Sequence, residues 1–349
     1  MAPNPTLLAS AVAYATELAG IECGIFPLGR SLGKAREPMR VAEEYAMLDC
    51  ITNGRLIAGF PVGLAYDANI NNGVAPLDQR ARFEENLSLV LRAWRDPEPF
   101  VWNGRFSQHP IVNLWPRPIQ QPRPPVWMTG IGTPRSMVNA IQRGFGYNYF
   151  GWFGYKITGK RIFDRFWDTI EQLGEDRNPY RIGFLQMICV AETDAQAEEL
   201  YAEHVEYFFR KALGSLGLER MVLPGQIEVP GLEAMFRDPG DFGMFARMKD
   251  LTYAEAVANG CVISGSPATV REQILEFVRA FRIGNLHAMM QFGSMPHELT
   301  KQSISLFASE VMPALHEVWK DEGWKHHWWP QRLGGAAAPA ARNQAEATA

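Results

Sequence analysis

The sequence predicts an α/β fold built on a mostly parallel sheet. Three observations point to it. Short apolar runs alternate with longer amphipathic segments along most of the 349 residues, the pattern of strands joined by crossover helices. Runs such as Arg55–Pro61 and Leu286–Phe292 are apolar nearly throughout, as in strands covered on both faces. No unit recurs at a fixed short period, which removes solenoids. A closed barrel and an open doubly wound sheet both fit this alternation.

The elements follow in order. Pro5–Gly20 reads as a helix and Ile21–Pro27 as a buried strand bounded by glycines. Pro38–Cys50 is helical, with Val41, Tyr45 and Leu48 on one side, and Asn53-Gly54 supplies a turn. Arg55–Pro61 is a strand. Leu77–Arg95 is an amphipathic helix with Phe83, Leu87, Val90, Leu91 and Trp94 at helical spacing. Val101–Phe106 is expected to form a hairpin around Asn103-Gly104, and the proline-rich stretch Pro110–Pro125 an extended connector. Strands are then expected at Pro125–Ile131, Phe145–Gly151, Arg181–Ala191 and Leu286–Phe292, which makes six in all. Helices are expected at Thr133–Gln142, Lys160–Leu173, Asp194–Leu213, Ser266–Phe281 and His297–Glu322. Residues 214–262 break the rhythm with Gly, Pro and Met and read as an insertion in one barrel-sized domain, residues 1–331. Residues 332–349 read as a disordered tail, because Ala, Pro and Gly leave little to bury.

Composition narrows the function classes. The chain is 47% hydrophobic with a net charge of −4 and no basic stripe, so a large core is expected and a nucleic-acid partner is not. No apolar run reaches the roughly 18 residues of a membrane span, and Met1–Pro5 does not open a signal peptide; a cytoplasmic protein is expected. Cys23, Cys50, Cys189 and Cys261 form no CxxC pair, so buried thiols are expected and a metal site is not.

The best local sign of a ligand site is Val126–Ser136, a strand, a glycine turn and a helix start. Thr133 is placed to cap the helix and Pro134 fits its first position. Gly130 and Gly132 allow close backbone approach. Arg135 falls in the first helical turn, where the macrodipole disfavours a cation; a bound anion would reverse that penalty, since free N–H groups there bind phosphate. The bland alternative is a surface arginine after an ordinary turn. Lys156, Lys160 and Arg161 around Gly159 form a weaker basic turn. His287 reads as a core histidine with an acid/base role if it faces a pocket, and His297 as a helix cap. His326 and His327 read as packing beside Trp324, Trp328 and Trp329, and Glu43-Glu44 and Glu84-Glu85 as solvated helix faces. No acid/base pair stands out and catalytic residues stay unassigned, as in an enzyme that leaves its chemistry to a cofactor.

The run Arg40–Asp49, then Asn53–Gly59, resembles the bacterial luciferase-like family of flavin-dependent monooxygenases. Arg80–Glu85, Trp102–Phe106, Trp115–Pro118 with Pro124–Trp127, Gly265–Pro267 with Gln273, and Gln291–Gly293 with Met295–Glu298 follow in the family's order. The resemblance implies a TIM-type (β/α) barrel with a reduced flavin at the C-terminal ends of its strands, FMN or a deazaflavin coenzyme. It implies cofactor binding by Gly63, Leu64, Thr129, Gly130, Ile131, Gly132, Thr133, Arg135 and Ser136. Val62 departs from the pattern: several relatives carry there an arginine that helps hold the phosphate, and Arg135 is the candidate to compensate. The implied reaction uses reduced FMN and oxygen on a small organic substrate, with a flavin reductase as partner and a homodimer as the assembly. Deazaflavin-dependent hydride transfer and a non-catalytic flavin-binding subunit are the alternatives. Residues 214–262 would form a lid, with Met235, Phe236, Met244, Phe245 and Met248 lining a pocket. Met1–Pro5 matches a segment that lies well inside relatives, so the first two of eight strands are expected to be absent, in line with the count of six. A mis-started gene is the leading explanation, ahead of a true truncation or closure by another route.

Overall fold

The computed structural model describes residues 4–63, 72–150, 154–213 and 247–337. Its strands are β1 (Ala58–Pro61), β2 (Phe100–Asn103), β3 (Gln108–Val112), β4 (Val126–Gly130), β5 (Gly146–Phe150), β6 (Ile182–Val190), β7 (Val262–Gly265) and β8 (Asn285–Met289). Six of them form one parallel sheet in the order β1-β4-β5-β6-β7, with β8 also paired to β6. The nine residues of β6 explain the branch. Ile182–Leu185 pair with β5, Gly183–Met187 pair with β8 and Met187–Val190 pair with β7. The α/β class and the parallel sheet are as the alternation predicts.

Helices α1 (Pro5–Leu18), α2 (Pro38–Ile51), α3 (Gln79–Arg95), α4 (Pro134–Gln142), α5 (Lys160–Gln172), α6 (Asp194–Tyr207), α7 (Tyr253–Ala258), α8 (Pro267–Phe281) and α9 (His297–Leu306) join the strands. The periodic apolar positions face the sheet. Val41, Tyr45 and Leu48 of α2 and Phe83, Leu87, Val90 and Trp94 of α3 are buried, each large side chain contributing roughly 1.5–3 kcal/mol. Tyr45 and Trp94 meet Phe60 of β1 at ring-centroid distances of 4.9 and 6.0 Å, which marks the helix-covered face. Period-two alternation then puts Trp127 on the opposite, inner face. There its ring meets Phe26 at 5.8 Å and His287 at 6.1 Å. The far end of that inner face is closed by Trp328, whose carbonyl accepts the Trp127 indole N–H at 2.9 Å.

Several expectations need correction. Ile21–Pro27 is no ladder: only Ile25 bridges to Leu56, through the Ile25 N–H to the Arg55 carbonyl at 2.9 Å and the Ile57 N–H to the Ile25 carbonyl at 2.9 Å. The insertion expected over residues 214–262 ends sooner: α7 lies within those bounds and Val262 already opens β7, a strand the reading missed. The hairpin is displaced: its second strand starts at Gln108, beyond Phe106. Glu85 sets this register by accepting the backbone N–H groups of Arg105, Phe106 and Ser107 at 2.8–3.1 Å. Glu85 is therefore no solvated face, and neither is Glu84, which pairs with Arg143 at 2.9 Å. Glu44 likewise pairs with Arg30. The last helix does not run to Glu322; it passes through a π-helical turn at Phe307–Val311, where Pro313 follows, and ends at His316. The start of the expected tail is held on the fold, where the Ala336 N–H returns to the His326 carbonyl at 3.0 Å, and residues 338–349 lie outside the described residues. Met235, Phe236, Met244 and Phe245 lie outside the described residues, and Met248 is buried among Phe208, Leu251 and Tyr253. Cys189 and Cys261 are buried, Cys23 and Cys50 half-buried, and all are free. No described helix is long and apolar enough to cross a membrane.

Candidate functional site

Parallel strands bring all their C-terminal ends to one rim. β1 and β4 are neighbours with Pro61 opposite Thr129. The turn after β1, carrying Gly63, therefore lies beside the turn after β4, carrying Gly130–Thr133. Leu64 lies outside the described residues. Gly63 has φ +97°, a left-handed conformation that other residues rarely adopt. A Cβ there would fall 2.2 Å from Ser31 Oγ, so the Ser31 hydroxyl, which donates to the Val62 carbonyl at 2.6 Å, fills the space a side chain would need.

The turn after β4 is wired to a tyrosine. The buried Tyr147 hydroxyl accepts the Gly132 N–H at 2.9 Å and lies 3.0 Å from Ser136 Oγ. Ser136 Oγ in turn donates to the Thr133 carbonyl at 2.8 Å. One proton order satisfies this chain: Gly132 to Tyr147, Tyr147 to Ser136, Ser136 to Thr133. Burial pushes the Tyr147 phenol up, against its hydrogen bonds with Ser136 and Gly132, which pull it down; it stays protonated and able to donate. Arg165 holds the Gly132 carbonyl at 3.1 Å. Gly130 leaves room for the same phenol, since a Cβ there would come within 2.6 Å of Tyr147 Oη.

Pro134 opens α4 as expected, but Thr133 does not cap it. The Thr133 side chain turns to Ser136 Oγ at 2.9 Å and makes no capping hydrogen bond, so the first turn's N–H groups receive no acceptor from Thr133. Two features qualify the anion reading. The Gly132 N–H is already committed to Tyr147. The exposed Arg135 has a carboxylate within electrostatic reach: burial raises the Glu84 acid, while Arg143, Asn139, Arg135 and Arg80 hold it down. The weaker basic turn is a π-helical turn at Tyr155–Gly159 leading into α5; Lys160 pairs there with Asp164, and Lys156 sits over the Tyr155 ring.

Beneath the rim, the inner face carries polar groups without partners. Thr129, Asn148 and Gly183 are register neighbours. Thr129 Oγ1, both amide atoms of Asn148, and His287 Nε2 are shielded from solvent and make no hydrogen bond. Gly183 is what lets Asn148 and His287 approach, because a Cβ there would lie 2.7 Å from His287 Nε2 and 3.1 Å from Asn148 Oδ1. Burial pushes the His287 imidazole down to about 4, so it is neutral near pH 7. His287 lies on the sheet's inner face with Nε2 shielded, but all of β8 is only half-buried, so Leu286–Phe292 is not covered on both faces as expected. His297 is exposed at the first position of α9 and caps nothing. His326 packs flat on Tyr180 at 4.7 Å with Nε2 on Asn285 Oδ1 at 2.8 Å.

Tyr147, Ser31 and Arg165 touch the candidate turns and were missed by sequence reasoning. Tyr147 sits in an apolar strand and reads as core, and Ser31 and Arg165 reach the rim only through the fold. The structure brings Gly63, Gly130, Gly132 and Arg135 to one rim.

The profile of the luciferase-like monooxygenase family matches residues 1–282. A curated relative, the oxygenase component of a flavin-dependent trigonelline monooxygenase from Acinetobacter baylyi, is 31% identical over 147 residues, 41% of this chain and 38% of that protein. An uncharacterised protein of Mycobacterium bovis is 29% identical over 100 residues, 29% of this chain and 35% of its own length. The chain thus matches well under half the length of these relatives. Among solved structures, a monooxygenase from Streptomyces bottropensis shares the fold at a TM-score of 0.66 and 23% identity, over 90% of this chain and 83% of that one. The oxygenating constituent of 3,6-diketocamphane monooxygenase from Pseudomonas putida, in complex with FMN, does so at 0.63 and 21%, over 89% and 84%. The coenzyme F420-dependent tetrahydromethanopterin reductase from Methanopyrus kandleri does so at 0.62 and 17%, over 90% and 88%. On the profile match, which spans most of its length, this chain belongs to the luciferase-like monooxygenase family.

Proposed function

We propose that this chain is the oxygenase component of a flavin-dependent monooxygenase, using reduced FMN and oxygen on a small organic substrate. The observation that carries the reading is the paired rim turn: Gly63 and the uncapped start of α4 lie side by side at the C-terminal ends of parallel strands, where ligands of such sheets bind. Gly63, Leu64 and Thr129–Thr133 would lie along the flavin, with the α4 N-terminus, Arg135 and Ser136 at its phosphate. A reduced flavin supplies the electrons that let one oxygen atom enter the substrate while the other leaves as water. The protein's part is to position both reactants and keep water out. Tyr147 contributes by fixing the Gly132 turn, and neutral His287 and Asn148 offer hydrogen bonds beneath it. A separate reductase would regenerate the flavin, and a homodimer is the expected assembly.

The test is oxygen uptake with chemically reduced FMN, coupled to loss of a candidate substrate, beside equilibrium dialysis of FMN against riboflavin. Substrate-dependent product with one oxygen from dioxygen is expected, as is tighter FMN binding than riboflavin. Activity with a deazaflavin alone, under anaerobic conditions, would replace the reading with hydride transfer, the chemistry suggested by the F420-dependent neighbour. Folded protein that retains no flavin would sink both.

A further inference from the structure

Helix α1 carries its large apolar side chains on the wrong side for a helix that only packs on its own core. Its buried side holds Thr6, Ala9 and Ala13, with Ser10 and Thr16 half-buried beside them. Leu7, Leu8, Val12, Tyr14 and Leu18 point the other way and are 72%, 52%, 43%, 64% and 73% exposed. Ala11 and Ala15 are exposed between them. Together these seven span an arc of about 160° around the helix. Glu17, the one charged residue of α1, lies outside that arc and pairs with Arg55. A surface helix of a globular protein shows the reverse pattern, with its apolar stripe toward the core, and a contiguous apolar patch in solvent marks an association surface.

Within this face Leu7, Ala11, Tyr14 and Leu18 recur at alternating steps of four and three residues, the spacing of a seam between two packed helices. The seam is also its own complement. Laid antiparallel on a copy of itself, about a two-fold axis midway between Ala11 and Tyr14, it sets Leu7 against Leu18 and Ala11 against Tyr14. Each tyrosine ring then meets a small residue. A parallel arrangement would set Tyr14 against Tyr14 instead. A two-fold contact uses the same patch on both copies and so needs this self-complementarity, and an uncharged patch brings no like charges together.

We propose that the outer face of α1 is the interface of a homodimer, packed antiparallel on α1 of a second copy. A large aliphatic side chain carries roughly 60–120 Å² of apolar surface and a tyrosine about 150–250 Å². At the exposures above, α1 offers about 250–450 Å² per copy. Homodimer interfaces are about 65% apolar, so the whole contact comes to about 800–1,400 Å² over two copies, around the ~1,000 Å² that a specific interface needs. Helix α2 lies beside α1, with Thr6 Oγ1 on Glu44 at 3.1 Å, and adds the exposed Met47 and Ile51. The inference gives a place to the homodimer expected above, but it stands on α1 and not on the flavin reading.

Sedimentation equilibrium of the full chain from about 1 to 100 μM tests it, and a monomer–dimer equilibrium is expected. Leu7→Glu and Leu18→Lys, both at exposed positions and with folding checked by thermal melting, should each weaken dimerisation by at least about tenfold. Ile304→Glu, at an exposed apolar site on α9, should leave it unchanged. Combined in one chain, Leu7→Glu and Leu18→Lys bring opposite charges together in the antiparallel arrangement and like charges together in a parallel one. The combination is therefore expected to dimerise more tightly than either single variant. A chain that stays monomeric at the highest concentration would overturn the proposal and leave the face to another partner, such as the reductase. A dimer unmoved by both single variants would put the interface elsewhere, and a combination no tighter than the singles would overturn the antiparallel packing. FMN dialysis on the unsubstituted chain decides the flavin reading separately, whatever the assembly.

Discussion

Tyr147→Phe removes one oxygen from the centre of the rim turn and nothing else. The ring keeps its stack on Phe166 at 6.0 Å, while the Gly132 N–H loses its 2.9 Å acceptor and Ser136 Oγ loses its 3.0 Å neighbour. A buried donor left without a partner costs about 1–3 kcal/mol. For a chain above 150 residues each kcal/mol moves the Tm by at most about 2–4 °C, so a drop of a few degrees is expected. Ser136→Ala keeps the Gly132 acceptor but leaves the buried Tyr147 O–H without its own, so it too should cost about 1–3 kcal/mol. The two changes touch one hydrogen-bond chain, so the double variant should cost less than their sum by about 0.5 kcal/mol or more. Urea melts of the four proteins measure the cycle. Additive losses, or a Tyr147→Phe variant as stable as the parent, would refute the claim that this phenol organises the turn.

Two further predictions concern the frame of the sheet. Arg55 is buried, donating to the carbonyls of Thr52 at 3.0 Å and Cys23 at 3.1 Å, while its ion-pair partner Glu17 is 59% exposed. Arg55→Met should cost roughly 3–6 kcal/mol, about 1.5–3 for each carbonyl deprived of a charged donor, whereas Glu17→Gln should cost at most about 1 kcal/mol; similar losses in both would show that the ion pair, not the buried carbonyls, sets the cost. His287 has its imidazole held at about 4 against an ordinary 6.5. The folded state therefore resists protonation, so its contribution to stability is complete above about pH 6.5 and is lost as pH falls toward 4. Urea melts from pH 7 to 4 should show a shallower decline in His287→Gln than in the parent, and parallel declines would count against burial as the cause.

The parts of this protein that were legible are those written in a local rule. Helical spacing placed the buried faces of α2 and α3. The helix expected to start at Ser266 is α8, whose cap the Ser266 side chain supplies at 3.4 Å. Glycine turns and an arginine in a first helical turn marked the rim. What stayed hidden depends on contacts made only after folding. β7 is four residues long and is a strand because β6 outruns β5 and offers it an edge. Glu84 and Glu85 sit on a charged helix face in sequence, yet one meets Arg143 and the other the turn of the β2–β3 ribbon. Tyr147 alternates correctly within its strand, and nothing local says that its hydroxyl will meet a glycine N–H on the preceding turn.

The Arg135 anomaly changes meaning once the neighbours are known. In sequence, a cation in the first turn of a helix costs about 0.3–1 kcal/mol, and an anion is the simplest relief. In the fold, Glu84 supplies part of that relief, since Arg135 helps hold its carboxyl down. The dipole cost and the Glu84 attraction then oppose each other, and Arg135→Gln should leave the ligand-free Tm almost unmoved. The variant should differ only when the helix start is occupied. A ligand at about 100 times its Kd adds about 2.7 kcal/mol of stability, and each tenfold loss of affinity removes about 1.4 kcal/mol of it. The stabilisation by FMN beyond that by riboflavin is therefore expected to shrink in Arg135→Gln, while the riboflavin increment stays the same. An undiminished FMN increment would place the phosphate away from Arg135 and leave its position in α4 explained by protein neighbours such as Glu84.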